Sequence, residues 1–424
     1  MRLWKAWNTF GRSRLRLWAL GALVAMVALG GCGGGQPANT AKPQTPAEKS
    51  GSPGAAVEKP PAAGEPIKIG AFFSASGGAA PLGKPELDTV KMLVDELNQK
   101  GGIGGRPVEL IAYDDKSDQN EAVLAVKKLI ESDKVAAIVG GTISGNSLAV
   151  IPQVEKAGVP YLSVAASRQV ARPDDGSPRK WTFKTAQGDD IVIDKVLEFL
   201  KEQNLTKIAW LNVANAYGSS GRAEFERLAP NYGIEAVAKE EFEATVNDAK
   251  AMLTRVKKAN PQAIVVWGTV QESAVVTKNI RELGFDVPVI ESHGIGNPQF
   301  IQLAGEAAEN VVFPIGRIVV ADQLPDSDPQ KATLLEYKKA YEAKYGTAPS
   351  TFGGHAWDAF QILVAAIEKA GTDPVAIRDA IEGTKNFVGI TGVFNFSPDD
   401  HTGLTKDSLV IARVKNGAFE FVHP

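Results

Sequence analysis

A single cysteine among 424 residues removes two classes of protein at once. One thiol cannot close an internal disulfide, so burial alone must hold the fold. It cannot build a thiolate metal cluster either, and His293, His355, His401 and His423 show no metal-ligand spacing, so no metal is expected. Gly-x-Ser-x-Gly is absent, which leaves a hydrolase elbow without an anchor. Gly-Lys-Ser/Thr is absent too, which excludes a phosphate loop. The run Gly101-Gly102-Ile103-Gly104-Gly105 follows a helical pattern rather than a strand, and Pro107 takes the place of the last glycine, so it is no dinucleotide fingerprint. Neither catalysis nor a cofactor is expected. Basic charge is not in excess, with 46 Lys and Arg against 49 Asp and Glu, which argues against a nucleic-acid partner.

What is present begins at the N-terminus. Residues 1–31 hold Arg2, Lys5, Arg12, Arg14 and Arg16, no acid, and an apolar stretch over 17–29. Those 13 apolar residues fall short of the about 20 that a membrane helix needs. A basic head, a short apolar core and small residues make a secretory signal. Leu29-Gly30-Gly31-Cys32 resembles the lipobox of bacterial lipoproteins, in which the cysteine is acylated. The resemblance implies residues 1–31 as signal peptide, Cys32 as lipid anchor, and work outside the cytoplasmic membrane. Five basic residues leave with the signal, so the mature net charge is near −8. After Cys32, residues 33–65 are Gly, Pro, Ala, Ser, Thr, Asn, Gln, Lys and Glu with one large aliphatic, Val57, and residues 32–65 read as a flexible tether.

From Ile67 onward short β-rich runs alternate with amphipathic stretches. Strands are predicted at 67–73, 108–113, 135–139 and 160–164, with helices at 87–99, 121–132 and 147–156. A second series places strands at 207–212, 235–239, 263–267 and 287–290. Its helices are predicted at 191–202, 221–232, 249–258 and 273–283. Helices at 331–344, 357–370 and 374–382 follow, then strand pairs at 386–388 with 393–396 and 408–414 with 419–422. Lys415-Asn416-Gly417 is a hairpin signal. Repeated βα units give an α/β fold with two doubly wound parallel sheets. Ligands of such sheets sit at strand carboxyl ends, which directs attention to 74–83, 140–147, 165–169, 215–220, 268–272 and 291–297. Trp181, Trp210, Trp267 and Trp357 read as core, with Trp267 also placed to line the rim.

Lys100-Gly-Gly-Ile-Gly-Gly-Arg-Pro-Val-Glu-Leu, leading to Tyr113-Asp114-Asp115, resembles a segment of type I periplasmic solute-binding proteins, and more narrowly of the Leu/Ile/Val group of ATP-driven (ABC) importers. Ile138-Val-Gly-Gly, Gly158-Val-Pro-Tyr-Leu-Ser, Ala216-Tyr217-Gly218 and Arg281-Glu-Leu-Gly284 continue the likeness in order. It implies two lobes joined by a three-strand hinge, with a solute held between them. Lobe one would be 66–187 plus 318–405, and lobe two 188–317 plus 406–424.

The resemblance also implies a pocket. Ser144, with Ala165, Ala166 and Ser167, would hold a ligand carboxylate. Independently, helix N-termini and hydroxyls favour anions, while capping explains Ser144 and Ser147 equally well. Tyr217 would lie over the ligand, and Asp189 would face its ammonium, with capping by Asp189 or Asp190 as the alternative. Three positions depart from the group: His293 stands where a glutamate pairs with the ammonium, and Val270 and Leu82 stand where aromatics do. A neutral histidine cannot replace a carboxylate as ammonium partner, and a protonated one would repel the ammonium; Glu291, by rotation, or Glu272 could take that part. A lipid-anchored, monomeric binding protein is expected, presenting a small carboxylate-bearing solute to an ABC permease. A branched-chain or other aliphatic amino acid leads; an aromatic or keto acid follows. A ligand-sensing receptor domain is the competing class.

Overall fold

The computed structural model describes residues 64–176 and 179–423. The expected signal peptide, Cys32 and nearly all of the expected tether lie outside the described residues. In chain order the first half runs β1 (Ile67–Phe73), α1 (Ala80–Gln99), β2 (Val108–Asp114), α2 (Gln119–Lys128), β3 (Ala137–Gly140), α3 (Ser144–Ala157), β4 (Tyr161–Ser163) and β5 (Thr182–Lys184). The five strands form one parallel sheet, ordered β2-β1-β3-β4-β5. β1 reads Ile-Lys-Ile-Gly-Ala-Phe-Phe and buries all but Lys68, the continuous apolar run required of a strand covered on both faces.

The second half runs α4 (Asp189–Glu202), β6 (Lys207–Val213), α5 (Ala216–Tyr232), β7 (Glu235–Phe242), α6 (Lys250–Lys258), β8 (Ala263–Trp267), α7 (Val270–Glu282), β9 (Val289–Glu291), α8 (Pro298–Ala304) and β10 (Val312–Gly316). The helices α9 (Lys331–Tyr345), α10 (Thr351–Ala370) and α11 (Pro374–Glu382) come next, then the pair β11 (Phe387–Val388) and β12 (Val393–Phe394), and finally β13 (Leu409–Lys415) and β14 (Ala418–His423). The second sheet is ordered β14-β13-β10-β9-β8-β6-β7. It is parallel from β7 to β10, and the closing hairpin adds two antiparallel strands. Asn416 and Gly417 turn that hairpin with φ of 52° and 72°, the positive pair a two-residue turn demands. Meanwhile α10 packs on α1 and reaches β3 and β4, so residues far down the chain complete the first lobe.

Amphipathic spacing explains the helices. α4 buries Val192, Ile193, Val196, Leu197 and Leu200, one apolar stripe facing the second core. Seven helices begin two to seven residues before the predicted starts: at Ala80, Gln119, Ser144, Asp189, Ala216, Val270 and Thr351. Their first turns carry small and polar residues, so apolar periodicity begins only one turn in. Two strands, β5 and β10, were not predicted. β10 contains Pro314, which ordinarily argues against a central strand. Only Val312 of β10 pairs with β9, so the missing Pro314 N–H interrupts no bond on that side. The glycine run at 101–105 makes a tight turn closed by an Ile103–Arg106 bridge, and a Cβ on Gly102 would fall 1.8 Å from the Arg106 carbonyl oxygen.

Candidate functional site

The carboxyl ends of β1, β3, β4, β6, β8 and β9 lead directly into the segments that face one another between the two lobes. After β3 the chain must turn sharply. Gly141 has φ of +77°, and a Cβ there would sit 2.1 Å from the Tyr161 hydroxyl and 2.2 Å from Ser147 Oγ. Ser147 Oγ donates to the Gly141 carbonyl (2.7 Å) and lies 2.8 Å from both Tyr161 Oη and Ser163 Oγ. Ser147 therefore holds the turn and does not face a ligand.

Ser144 is the first residue of α3 and is buried. The helix is capped by Ile143, which has no side-chain acceptor, so the capping alternative for Ser144 fails. The first N–H groups of α3 are left without a side-chain partner, the condition that favours an anion. Ser144 Oγ accepts the Ser167 N–H (3.2 Å), which leaves its own proton to donate. Ser167 Oγ lies 3.0 Å from Ser220 Oγ on α5, across the gap between lobes. Ala166 presents its carbonyl to Lys184 Nζ at 2.7 Å. Ala165 does not join this cradle: its N–H donates to Ser163 Oγ (3.1 Å) and its side chain packs in the apolar cluster with Phe72 and Tyr161.

On the second lobe Asn215 caps α5 through the N–H groups of Tyr217 and Gly218, fixing the Tyr217 ring. Tyr217 Oη lies 3.3 Å from His293 Nδ1, and the rings of Tyr217, His293 and Trp267 meet at 5.6–5.8 Å. Burial pushes the His293 pKa down to about 3, helped by neighbouring His355 and the Lys184 ammonium, which keeps the imidazole neutral. Trp267 is fully buried beneath this group, stacked on Trp210, and does not reach a rim. Val270, first residue of α7, is fully buried. Leu82, in the first turn of α1, joins the apolar cluster of the opposite lobe.

Glu291 and Glu272, the alternatives offered by the sequence, are both engaged within the second lobe. Glu291 accepts from Thr277 Oγ1 at 2.7 Å, held under α7, and burial raises its pKa well above the usual range. Glu272 closes a capping box with Thr269. Asp189 differs from both. It is fully buried at the start of α4, and among the described residues neither carboxylate oxygen has a hydrogen-bond partner. Gly188 is the N-cap, and α4 has no side-chain cap, so neither Asp189 nor Asp190 caps it. Ser220 lies near enough to favour the charged form, but outside hydrogen-bond geometry; burial wins and raises the Asp189 pKa.

Three more contacts join the lobes around this site. Arg168 Nε donates to Glu224 Oε1 at 2.7 Å, Asn297 Nδ2 donates to the Pro81 carbonyl at 2.7 Å, and Gly145 approaches Ala216. The lobes are thus closed on each other. Arg168, Ser220 and Asn297 fall inside the strand-end segments 165–169, 215–220 and 291–297 that the sequence points to, but no motif singles them out there; Lys184 lies outside those segments, on the unpredicted β5. Among the described residues no group of three or more His, Cys, Asp or Glu could hold a metal.

Two closed α/β lobes with hydroxyls, helix N-termini and an unpaired buried acid between them define a solute-binding architecture. The chain belongs to the periplasmic binding protein family, whose model matches residues 66–418. It is 26% identical over 336 residues to the leucine-, isoleucine-, valine-, threonine- and alanine-binding protein of Pseudomonas aeruginosa, covering 79% of this chain and 86% of that one. Among solved structures, it is similar to the branched-chain amino acid transporter substrate-binding protein LivJ of Streptococcus pneumoniae in complex with isoleucine. That match has a TM-score of 0.74 at 30% identity, over 85% of this chain and all of LivJ. An extracellular ligand-binding receptor of Rhodopseudomonas palustris HaA2 matches with TM-score 0.79 and 29% identity, over 84% and 99% of the two chains. The family is extracytoplasmic, and among the described residues no helix is long and apolar enough to cross a membrane.

Proposed function

We propose that this protein captures an aliphatic α-amino acid between its lobes and delivers it to the permease of an ABC importer, as a monomer tethered outside the membrane through Cys32. In this reading the lobes are 66–187 with 318–405 and 188–317 with 406–424. The ligand carboxylate meets Ser144 Oγ and the open first turn of α3; Ser167 supports Ser144 from the neighbouring loop. Tyr217 and the neutral His293 cover the ligand from the second lobe.

The observation that carries the amino-acid reading is Asp189: a fully buried carboxyl without a hydrogen-bond partner, beside the cradle. An unpaired buried acid is costly, and a ligand ammonium would both pair it and restore its charge. A keto or aromatic acid would leave it unpaired. Binding to the closed form alone would drive closure by its differential affinity.

The test is a thermal-shift and calorimetric screen of branched-chain amino acids against their keto acids and against aromatic acids. A ligand at a hundred times its dissociation constant should add about 2.7 kcal/mol of stability. Isoleucine, leucine or valine should stabilise the protein and the matching keto acids should not. The reverse order would overturn the amine requirement.

A further inference from the structure

Lys184 ends β5 with its side chain fully buried. Nζ donates to the Ala166 carbonyl at 2.7 Å and the Gln187 carbonyl at 3.3 Å, which uses two of its three protons. Two carbonyls do not neutralise an ammonium. Among the described residues no acid lies within ion-pair distance of it, although it attracts the Asp189 carboxylate electrostatically. The other acids nearby are already engaged, because Arg172 reaches Asp190 at 3.5 Å and Asp400 at 3.0 Å. Its bond to the Ala166 carbonyl places Lys184 directly behind the Ala166–Ser167 loop, and its charge acts on His293 of the second lobe and on His355 of α10.

A buried cation and a buried anion that share one site without touching are an unusual arrangement. Left alone, each pays for desolvation without the return of a contact ion pair. A zwitterion inserted with its carboxylate toward the Ala166–Ser167 loop and its ammonium toward Asp189 offsets both.

Resting on the amino-acid reading above, we propose that Lys184 is a specificity-determining residue: its ammonium, fixed to the Ala166 carbonyl, sets a positive potential under the Ser144–Ser167 cradle and, with Asp189, selects a zwitterion over a cationic ligand. Lys184 acts through space and through the loop it holds, not by contact with the ligand.

The experiment measures isoleucine and isoleucinamide binding by calorimetry to the wild-type protein, Lys184→Gln and Lys184→Met. Isoleucinamide keeps the ammonium and side chain but carries a net positive charge. Removing Lys184 should weaken isoleucine by roughly 10- to 50-fold, the effect of one charge several ångströms away at intermediate dielectric. It should strengthen isoleucinamide, since the repelling charge is gone. Opposite signs cannot come from a loop that has merely loosened. Lys184→Gln keeps a donor toward Ala166, so the two variants separate charge from hydrogen bonding. Loss of both ligands together, amide binding that stays unchanged or undetected, or wild-type isoleucine affinity in Lys184→Gln would overturn the role. Wild-type protein that binds no aliphatic amino acid would instead overturn the reading of the ligand, and this role with it.

Discussion

Glu224→Ala isolates one contact between the lobes. In the closed protein Glu224 Oε1 accepts from Arg168 Nε at 2.7 Å, while Oε2 accepts from Arg227 Nε at 2.9 Å. Arg227 is on the same helix, α5, so that second pair is identical whether the lobes are open or closed and cancels from the closing equilibrium. The bonds of Arg168 to the Arg172 carbonyl and Asp174 stay within its own segment and cancel likewise. What remains is one charge-assisted hydrogen bond between side chains 20% and 4% exposed. Such bonds contribute about 1.5–3 kcal/mol, and the partial exposure of Arg168 points to the lower end. A loss of about 1.5 kcal/mol is roughly tenfold in the closed-to-open ratio, and therefore in apparent affinity. Because closure follows encounter, the change belongs in koff. Stopped-flow quenching of Trp267 and Trp210, which stack beneath Tyr217, should read it with isoleucine as probe. Raising salt should weaken the wild-type protein toward the variant and leave the variant nearly indifferent. An isoleucine Kd within twofold of wild type, with the same salt slope in both proteins, would refute the reasoning.

Four further outcomes follow from the geometry. Asp189→Asn should weaken isoleucine by about 1.5–3 kcal/mol in calorimetry, the value of a lost charge-assisted bond. It should also raise the melting temperature of the free protein, since it removes an unpaired buried acid. Ser144→Ala should weaken carboxylate-bearing ligands by about 1–3 kcal/mol; unchanged affinity would remove Ser144 from the cradle. Gly141→Ala should cost about 2–4 kcal/mol in thermal or denaturant unfolding, because the new Cβ meets two buried hydroxyls at a positive φ. His355, buried on α10 with Nδ1 2.9 Å from Thr391 Oγ1, has its pKa pushed down to about 3, by burial first and then by Lys184. A depressed histidine stabilises the fold above its unfolded value of 6.5, and that contribution fades as pH falls toward 3. By pH 5.5 the loss should be about 1.4 kcal/mol, so the difference in stability between wild type and His355→Gln should shrink by that amount from pH 8 to 5.5. Parallel stability curves would show that His355 does not titrate this way.

The fold was legible where packing sets the sequence. Continuous apolar runs such as 263–267 and helical stripes such as that of α4 announce themselves because each must meet a core. The site was less legible for the same reason. The first turns of α1, α3, α4, α5 and α7 point between the lobes, so they carry Ser144, Gly145, Asp189, Gly218 and Ser220 instead of a periodic apolar pattern and read as loop. Site residues such as Ser144, Tyr217 and Asp189 came through family resemblance; Lys184 had no such marker. Its neighbours in space, Ala166 and Asp189, are 18 and 5 residues away in sequence, and only the sheet brings them together. Ala165 shows the limit of a motif: it belongs to the same small-residue loop as Ala166 and Ser167, yet strand geometry turns it to the other side.

The antiparallel hairpin that ends the chain has a consequence for biogenesis. β13 forms the flank of β10 almost a hundred residues after β10 has been made, and α10 reaches back to α1 across a still longer interval. Neither half of the molecule can therefore finish on the ribosome while the rest is being translated. Each must wait, with one side of its core bare, until β13 and α10 have been made.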